Sequence, residues 1–494
     1  MCGLRRNYPR SGYMRSGYMI PATPLAVLTS MAANLGRMIV LLRLTTLRRA
    51  VASAPVYGAP MVAGWMRRLA MVVTLVACTR PTTMLTSKEA LARATDGVTA
   101  WLAANAVALE HLGAGHGVDD MVPLSAMIGT ARIVGLGEAT HGTSEFFQLK
   151  HRVLEYAVTK LGFTMFGIEA GQPECRTINE YVATGRGDLR AALIVTLPIW
   201  NTEEVVALIE WMRAWNADPS HDRKLKFVGF DMQTTFFAYR NVVAFLAKVA
   251  PDQVATLTKQ IAVLGGDIGP LMPEDWARIL AELSTIGARF DAHRSDWTER
   301  SGAASFVDAR HDITVMEQAA RFYQTEDEGL RDRSMSDNVD WLLAQEPPGS
   351  RIILWAHNGH IALQRPDRIP MGGNLRRRFG RDYFSVGFAF GEGGFRTVEV
   401  QGNRAVLVEH TVGAATPDDV TAPFTATGRP ILVADLRAAR ASSVADWFMA
   451  PHPMREAGGT FSSEADLTSM VVLPAQFDAV IYVKQTTGSR PLQH

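Results

Sequence analysis

The segment Gly135-Leu-Gly-Glu138-Ala-Thr-His141-Gly142 sets a carboxylate three residues before an imidazole, between glycines. A carboxylate held against imidazole raises its basicity and fixes its orientation, as a general base that takes a proton from water requires. The glycines allow a tight strand-to-helix turn and close approach of a substrate, and a helical turn would bring Glu138 and His141 to one side. A purely structural alternative has Thr140 as a helix cap and His141 solvated. Three further apolar runs end on polar side chains: Thr164–Ile168 on Glu169, Lys226–Phe230 on Asp231, and Arg351–Trp355, through Ala356, on His357.

Other chemistries fail on specifics. Gly135-x-Gly137 begins like a dinucleotide fingerprint, but Thr140 stands where its third glycine belongs and Glu138 would repel a pyrophosphate. The sequence has no G-x-S-x-G elbow, no H-E-x-x-H helix and no phosphate-binding P-loop. Three cysteines, Cys2, Cys78 and Cys175, form no zinc array, and Cys175 has no base beside it, so an inert thiol is expected there.

The runs that carry these residues have the length and enrichment of buried strands, and helix-like stretches at 144–160 and 202–215 separate them. Strand, helix, strand in this order predicts an α/β fold: a mostly parallel sheet with flanking helices. From about 236 to 344 apolar residues recur at three and four (Trp276, Ile279, Leu280, Leu283, Ile286), predicting a helical insertion. Additional C-terminal strands are expected at 383–390, 395–400, 431–435 and 479–483. In parallel sheets ligands bind beyond the carboxyl ends of the strands, so this architecture would gather Glu138, Glu169, Asp231 and His357 into one cleft.

The 494 residues carry a net charge of +1, which gives no reason to expect a nucleic-acid partner. That average hides an asymmetry. Residues 1–77 hold ten Arg and no acid, leaving 1 − 10 = −9 for the rest. Met66-Arg67-Arg68, the apolar run 69–75 and Leu75-Val-Ala-Cys78 follow the order of a secretion signal, and the last four resemble a bacterial lipobox with Cys78 as the lipidated residue. Residues 1–85 are therefore read as a basic leader, signal and tether whose true start is Met61 or Met66. Residues 86–494 are read as the catalytic body. The expected location is extracytoplasmic, lipid-anchored to a bacterial membrane surface; the alternative is a basic tail on a cytoplasmic enzyme.

Several of these motifs, taken in order, resemble the erythromycin esterase family. They are Gly137-Glu-Ala-Thr-His-Gly142-Thr with Phe146-Phe147 and Lys150-His-Arg152, Gly167-Ile-Glu-Ala170, Arg331-Asp332 with Met335 and Asn338, Trp355-Ala-His-Asn-Gly-His360, and Phe477-Asp-Ala-Val-Ile-Tyr-Val with Thr486-Thr487. The matches span Ala131 to Arg490. The resemblance implies a carboxylic ester hydrolase that opens an ester or macrolactone, with macrolide inactivation as one expression of it. His141 would be the base, Glu138 and Glu169 would orient it and the water, and His357, with or without Arg331, would stabilise the oxyanion or help the alcohol leave. Lys150 stands where the family pattern carries Arg, keeping the charge but losing the planar fork for bidentate substrate binding.

Substrate contacts are expected from Lys150, Arg331, Asp231, His360 and Trp200. His360 has the alternative of bonding its own loop, Asp231 that of organising backbone, and Trp200, like Trp211, that of core packing. No cofactor is expected. Two His and several carboxylates would also suit a divalent cation, so a metal-dependent hydrolase stays open, as does a non-catalytic lipoprotein that binds its ligand in the same cleft.

Overall fold

Runs such as Ile352–Trp355 alternate their side chains between two faces, and both faces here are apolar. The computed structural model describes residues 87–493 except 195, 267, 269–270, 402–403, 460, 462 and 464–466. The basic leader and Cys78 lie outside the described residues. The strands are β1 (Val107–Ala108), β2 (Ile133–Leu136), β3 (Met165–Gly171), β4 (Lys226–Asp231), β5 (Ile352–Trp355), β6 (Tyr383–Gln401), β7 (Arg404–Val412), β8 (Ile431–Asp435), β9 (His452–Arg455), β10 (Thr468–Val471) and β11 (Ala479–Thr486). Nine of them form one sheet in the order β1-β8-β11-β6-β2-β5-β3-β4, with β7 paired to β6. From β11 to β4 every pairing is parallel, while β8 and β7 join antiparallel.

Every residue of β2, β3 and β5 is buried, because helices cover both faces of a parallel sheet. The period of two sorts them. Val134, Leu136, Ile353 and Trp355 join one core; Ile133, Ile352 and Leu354 join the other. The first core receives the helix Ser144–Leu161, which the sequence places correctly, and the helix Glu203–Ala217, whose first turn is capped by Thr202.

The expected insertion is present as helices from Phe236–Val249 to Glu328–Ala344, with a third core of its own. Phe245 stacks on Phe290 at 5.0 Å between ring centroids, and Trp297 and Phe306 complete the aromatic cluster. The C-terminal part departs from expectation. The two strands foreseen at 383–390 and 395–400 are one strand, β6, whose pairing to β11 and β7 continues through Gly393 and Gly394, Gly393 at φ 121°. β7 and the hairpin β9–β10 were not foreseen.

Phe290 is fully buried among the other rings of the insertion. Phe290→Ala should therefore cost about 3–5 kcal/mol of stability, read by urea denaturation. A loss below about 1 kcal/mol would mean that this aromatic cluster does not stabilise the insertion.

Candidate active site

β5 follows β2, β3 and β4 in the chain yet lies between β2 and β3, a switch in strand order of the kind at whose carboxyl ends ligands bind in a crevice. Along that edge the strands β2, β5, β3 and β4 deliver Glu138, His357, Glu169 and Asp231 in that order. The structure thus brings all four strand-end residues together.

Glu138 lies in the turn between β2 and the helix Ser144–Leu161. The turn is tight because a Cβ at Gly137 would collide with Asn358 Oδ1, and one at Gly142 with the carbonyl of Arg396. Glu138 Oε1 meets His141 Nδ1 at 2.6 Å, a contact made within an irregular turn rather than the helical turn expected. Thr140 does not cap the helix; its hydroxyl meets that of Thr143. Glu138 Oε2 accepts from Lys150 Nζ at 2.6 Å and from Trp355 Nε1 at 2.7 Å. Burial pushes the Glu138 carboxyl up, but Lys150 and His141 outweigh it and hold the group below its ordinary value.

Burial lowers His141, yet the hydrogen bond and charge of Glu138, helped by the charge of Glu169, raise it above 6.5. With Nδ1 bound to Glu138, the nitrogen left for chemistry is Nε2, which no described residue engages. His357 is the opposite case. Burial, then the charges of His141 and His360, drive it well below 6.5. Its Nδ1 accepts from the Gly359 N–H at 3.1 Å, so the neutral ring carries its proton on Nε2. That Nε2 forms no well-made hydrogen bond among the described residues, although the Ala139 carbonyl pulls on it weakly. The two rings lie 5.0 Å apart, centroid to centroid.

Arg331, on the helix Glu328–Ala344, closes the other side. Its Nη2 donates to Glu169 at 2.7 Å and to Asp231 at 2.8 Å, and its Nε reaches Asp231 at 3.3 Å. The second oxygen of Glu169 accepts the His357 N–H at 2.8 Å. His360 Nε2 faces Glu169 and Arg331, while its Nδ1 meets Asp332 at 2.7 Å; Asp332 in turn holds Arg368 and the Met371 N–H. His360 thus bonds its surroundings and also borders the site.

Two residues expected to touch substrate sit deeper. Lys150 has no exposed surface and lies 4.2 Å over the Trp355 ring, and its ammonium is spent on Glu138. Burial pushes it down to about 8 against the pull of Glu138 and Glu169. Trp200 is 1% exposed, edge-on to His141 at 6.1 Å, with Nε1 donating to the Glu169 carbonyl. Both support the site from behind. Trp211 packs against the core, and Cys175 is buried, its thiol pushed well up by burial and then by Glu174.

Sequence reasoning assigned no role to Trp355 or Asp332, although both stand in the quoted motifs. The available signal was position: Trp355 pairs in register with Leu136, two residues before Glu138. For a metal, among the described residues no three His, Cys, Asp or Glu converge on a binding point. Glu138, Glu169 and Asp231 are instead turned onto Lys150 and Arg331.

If Glu138 sets the basicity of His141, Glu138→Gln should lower the His141 pKa, since burial and Lys150 are then opposed only by the charge of Glu169. Imidazole NMR titration reads this directly. An unchanged titration would detach His141 from Glu138.

Known proteins give this geometry a context. The family model for erythromycin esterase matches residues 158–486. Erythromycin esterase type II of Escherichia coli is 26% identical, over 54% of this chain and 71% of its own length. A protein of solved crystal structure from Bacillus cereus is 25% identical, with a TM-score of 0.72 over 81% of this chain and 99% of its own. A mutant of the erythromycin esterase EreC in its open conformation shares the fold, at 18% identity and TM-score 0.62 over 76% of this chain and 96% of its own. The match covers well over half of the chain, and on it this protein belongs to the erythromycin esterase family of hydrolases.

Proposed function

We propose that the protein hydrolyses carboxylic esters, with a macrolactone among its candidate substrates, and that His141 is the general base. The 2.6 Å contact between Glu138 and His141 Nδ1 carries this reading, because it leaves Nε2 basic and directed away from its anchor. Water between His141 and the ester carbonyl gives its proton to Nε2 as its oxygen attacks the carbon. Glu138 stabilises the imidazolium so formed. The oxyanion is stabilised by His357, a neutral donor whose Nε2–H is buried beside the Ala139 carbonyl and must turn toward the substrate as charge develops. Collapse breaks the carbon–alkoxide bond, and the imidazolium returns its proton to the alcohol. From a lactone the product is a ring-opened hydroxy acid. Arg331 spends its donors on Glu169 and Asp231 and holds the strand ends in place. No step needs a metal, so activity should survive exhaustive chelation.

The names of the relatives support an ester bond as target and erythromycin as the first compound to try. Incubation with macrolides and an ester panel should yield a product heavier by one water, read by mass spectrometry. His141→Ala should lower kcat/KM by about 10²–10⁴-fold in a folded protein. Glu169→Gln and His357→Ala should each impair turnover and add little to the His141 defect, because groups acting on one water and one carbonyl behave as a unit. The rate should rise with pH through the raised His141 pKa and fall below it, since only neutral imidazole accepts a proton. A folded His141→Ala variant with activity within a few-fold of wild type would move the base elsewhere.

The leader belongs to the same proposal. Cys78 is read as the site of lipid attachment, and durable anchoring needs more than one acyl chain. Protein beginning at Thr79 should be fully active, and Cys78→Ser should leave the full chain unprocessed or free of the membrane fraction. A mature protein that starts upstream of Met61 and stays in the cytosol would overturn the anchor and leave the esterase reading intact.

A further inference from the structure

Four buried carboxylates line the carboxyl ends of β2, β3 and β4. Three of them are fully engaged. Glu138 accepts from His141, Lys150 and Trp355; Glu169 from Arg331 and the His357 N–H; Asp231 from Arg331, Gln233 and the Met232 N–H. The fourth is Glu174, which the mechanism above does not use. It stands in the first turn of the helix Gln172–Thr184, directly after β3, and is 2% exposed. Its Oε1 accepts from the Thr234 hydroxyl, while its Oε2 is buried and has no protein partner among the described residues.

Glu174 borders a cavity of about 10 Å³ whose wall includes Gly171, Leu197, Asp231, Gln233 and Thr234. That volume admits one water-sized group. No cation bonds Glu174 among the described residues. The nearby Arg176 is committed to Asp312 at 2.5 and 2.8 Å and to Gln172 at 2.8 Å. A buried carboxyl oxygen without a donor costs free energy, and binding sites are where such costs are tolerated.

Resting on the esterase reading, we propose that Glu174 Oε2 and this cavity form a subsite for a hydroxyl group of the substrate, so that the enzyme favours hydroxylated esters or lactones. Size selects a single small polar group. Burial raises the Glu174 carboxyl to about 7 even against the Thr234 hydrogen bond, so near neutrality it exists in both forms. A hydroxyl can donate to the carboxylate or accept from the acid; an ammonium can only donate. A partner that bonds either form fits this carboxyl best.

The test compares a series of lactones hydroxylated at successive positions with their deoxy counterparts. For at least one position the wild type should show a KM lower by about 10–100-fold, the size of a hydrogen bond to a charged group. Glu174→Met should remove that preference by raising KM for the hydroxylated member alone, with kcat on the deoxy member unchanged; Glu174→Gln, which keeps the shape and an amide, should lose less. Calorimetric binding to His141→Ala reads the same preference without turnover, so it decides on Glu174 even where no lactone is hydrolysed, an outcome that would sink the esterase reading separately. Equal binding of both series to that variant overturns the subsite, as does a Glu174→Met protein, folded by circular dichroism, that keeps the preference. A preference for amines over alcohols, abolished by the same substitution, also overturns the hydroxyl assignment.

Discussion

A carboxylate with no exposed surface is the constraint on which the site depends. Removing such a charge from water costs several kcal/mol unless its oxygens are fully bonded. Glu138 meets that demand with donors from a turn, a helix and a strand: His141, Lys150 and Trp355. Each donor arrives on a different element, so one pair of oxygens fixes where the three can sit. Lys150 is equally bound, since an ammonium buried under Trp355 and Phe147 is tolerable only beside its counter-ion. The same logic repeats across the crevice, where Arg331 ties the last helix of the insertion to β3 and β4.

Within this frame two imidazoles 5.0 Å apart are driven in opposite directions. His141 gains basicity from a carboxylate; His357 loses it to burial and to neighbouring positive charge. Their protonated forms also repel, so charging one disfavours charging the other. Environments that push two titratable groups apart are a general way to separate proton acceptor from hydrogen-bond donor on one scaffold.

Much of this was legible in the sequence because it is local. Strands announce themselves by apolar runs, and a parallel sheet dictates that their carboxyl ends share an edge, which is why Glu138, Glu169, Asp231 and His357 could be grouped. What was hidden depends on pairs far apart in the chain. Arg331 reaches Asp231 across 100 residues and Glu169 across 162, and nothing in spacing reveals such a bond. Lys150 reads as a substrate contact from its place in the family motif, and Trp200 as an apolar wall for a large substrate; only packing shows that both face inward. β6 reads as two strands in the sequence, whereas pairing to β11 on one side and β7 on the other carries the chain through Gly393 and Gly394 as one.

The position of β5 has a consequence for how this protein is made. Its place between β2 and β3 must stay empty while the chain from Gly171 to Ile352 is synthesised, roughly 180 residues, or about 10–40 s at 5–20 residues per second. Throughout that interval the nascent chain carries two apolar strand edges facing a gap, the kind of surface that pairs with the wrong neighbour. Docking of the insertion through Arg331 can follow only when the helix just before β5 has left the ribosome. The two halves of the crevice are thus joined only after β5 has emerged, with the C-terminal strands β6 to β11 still to follow.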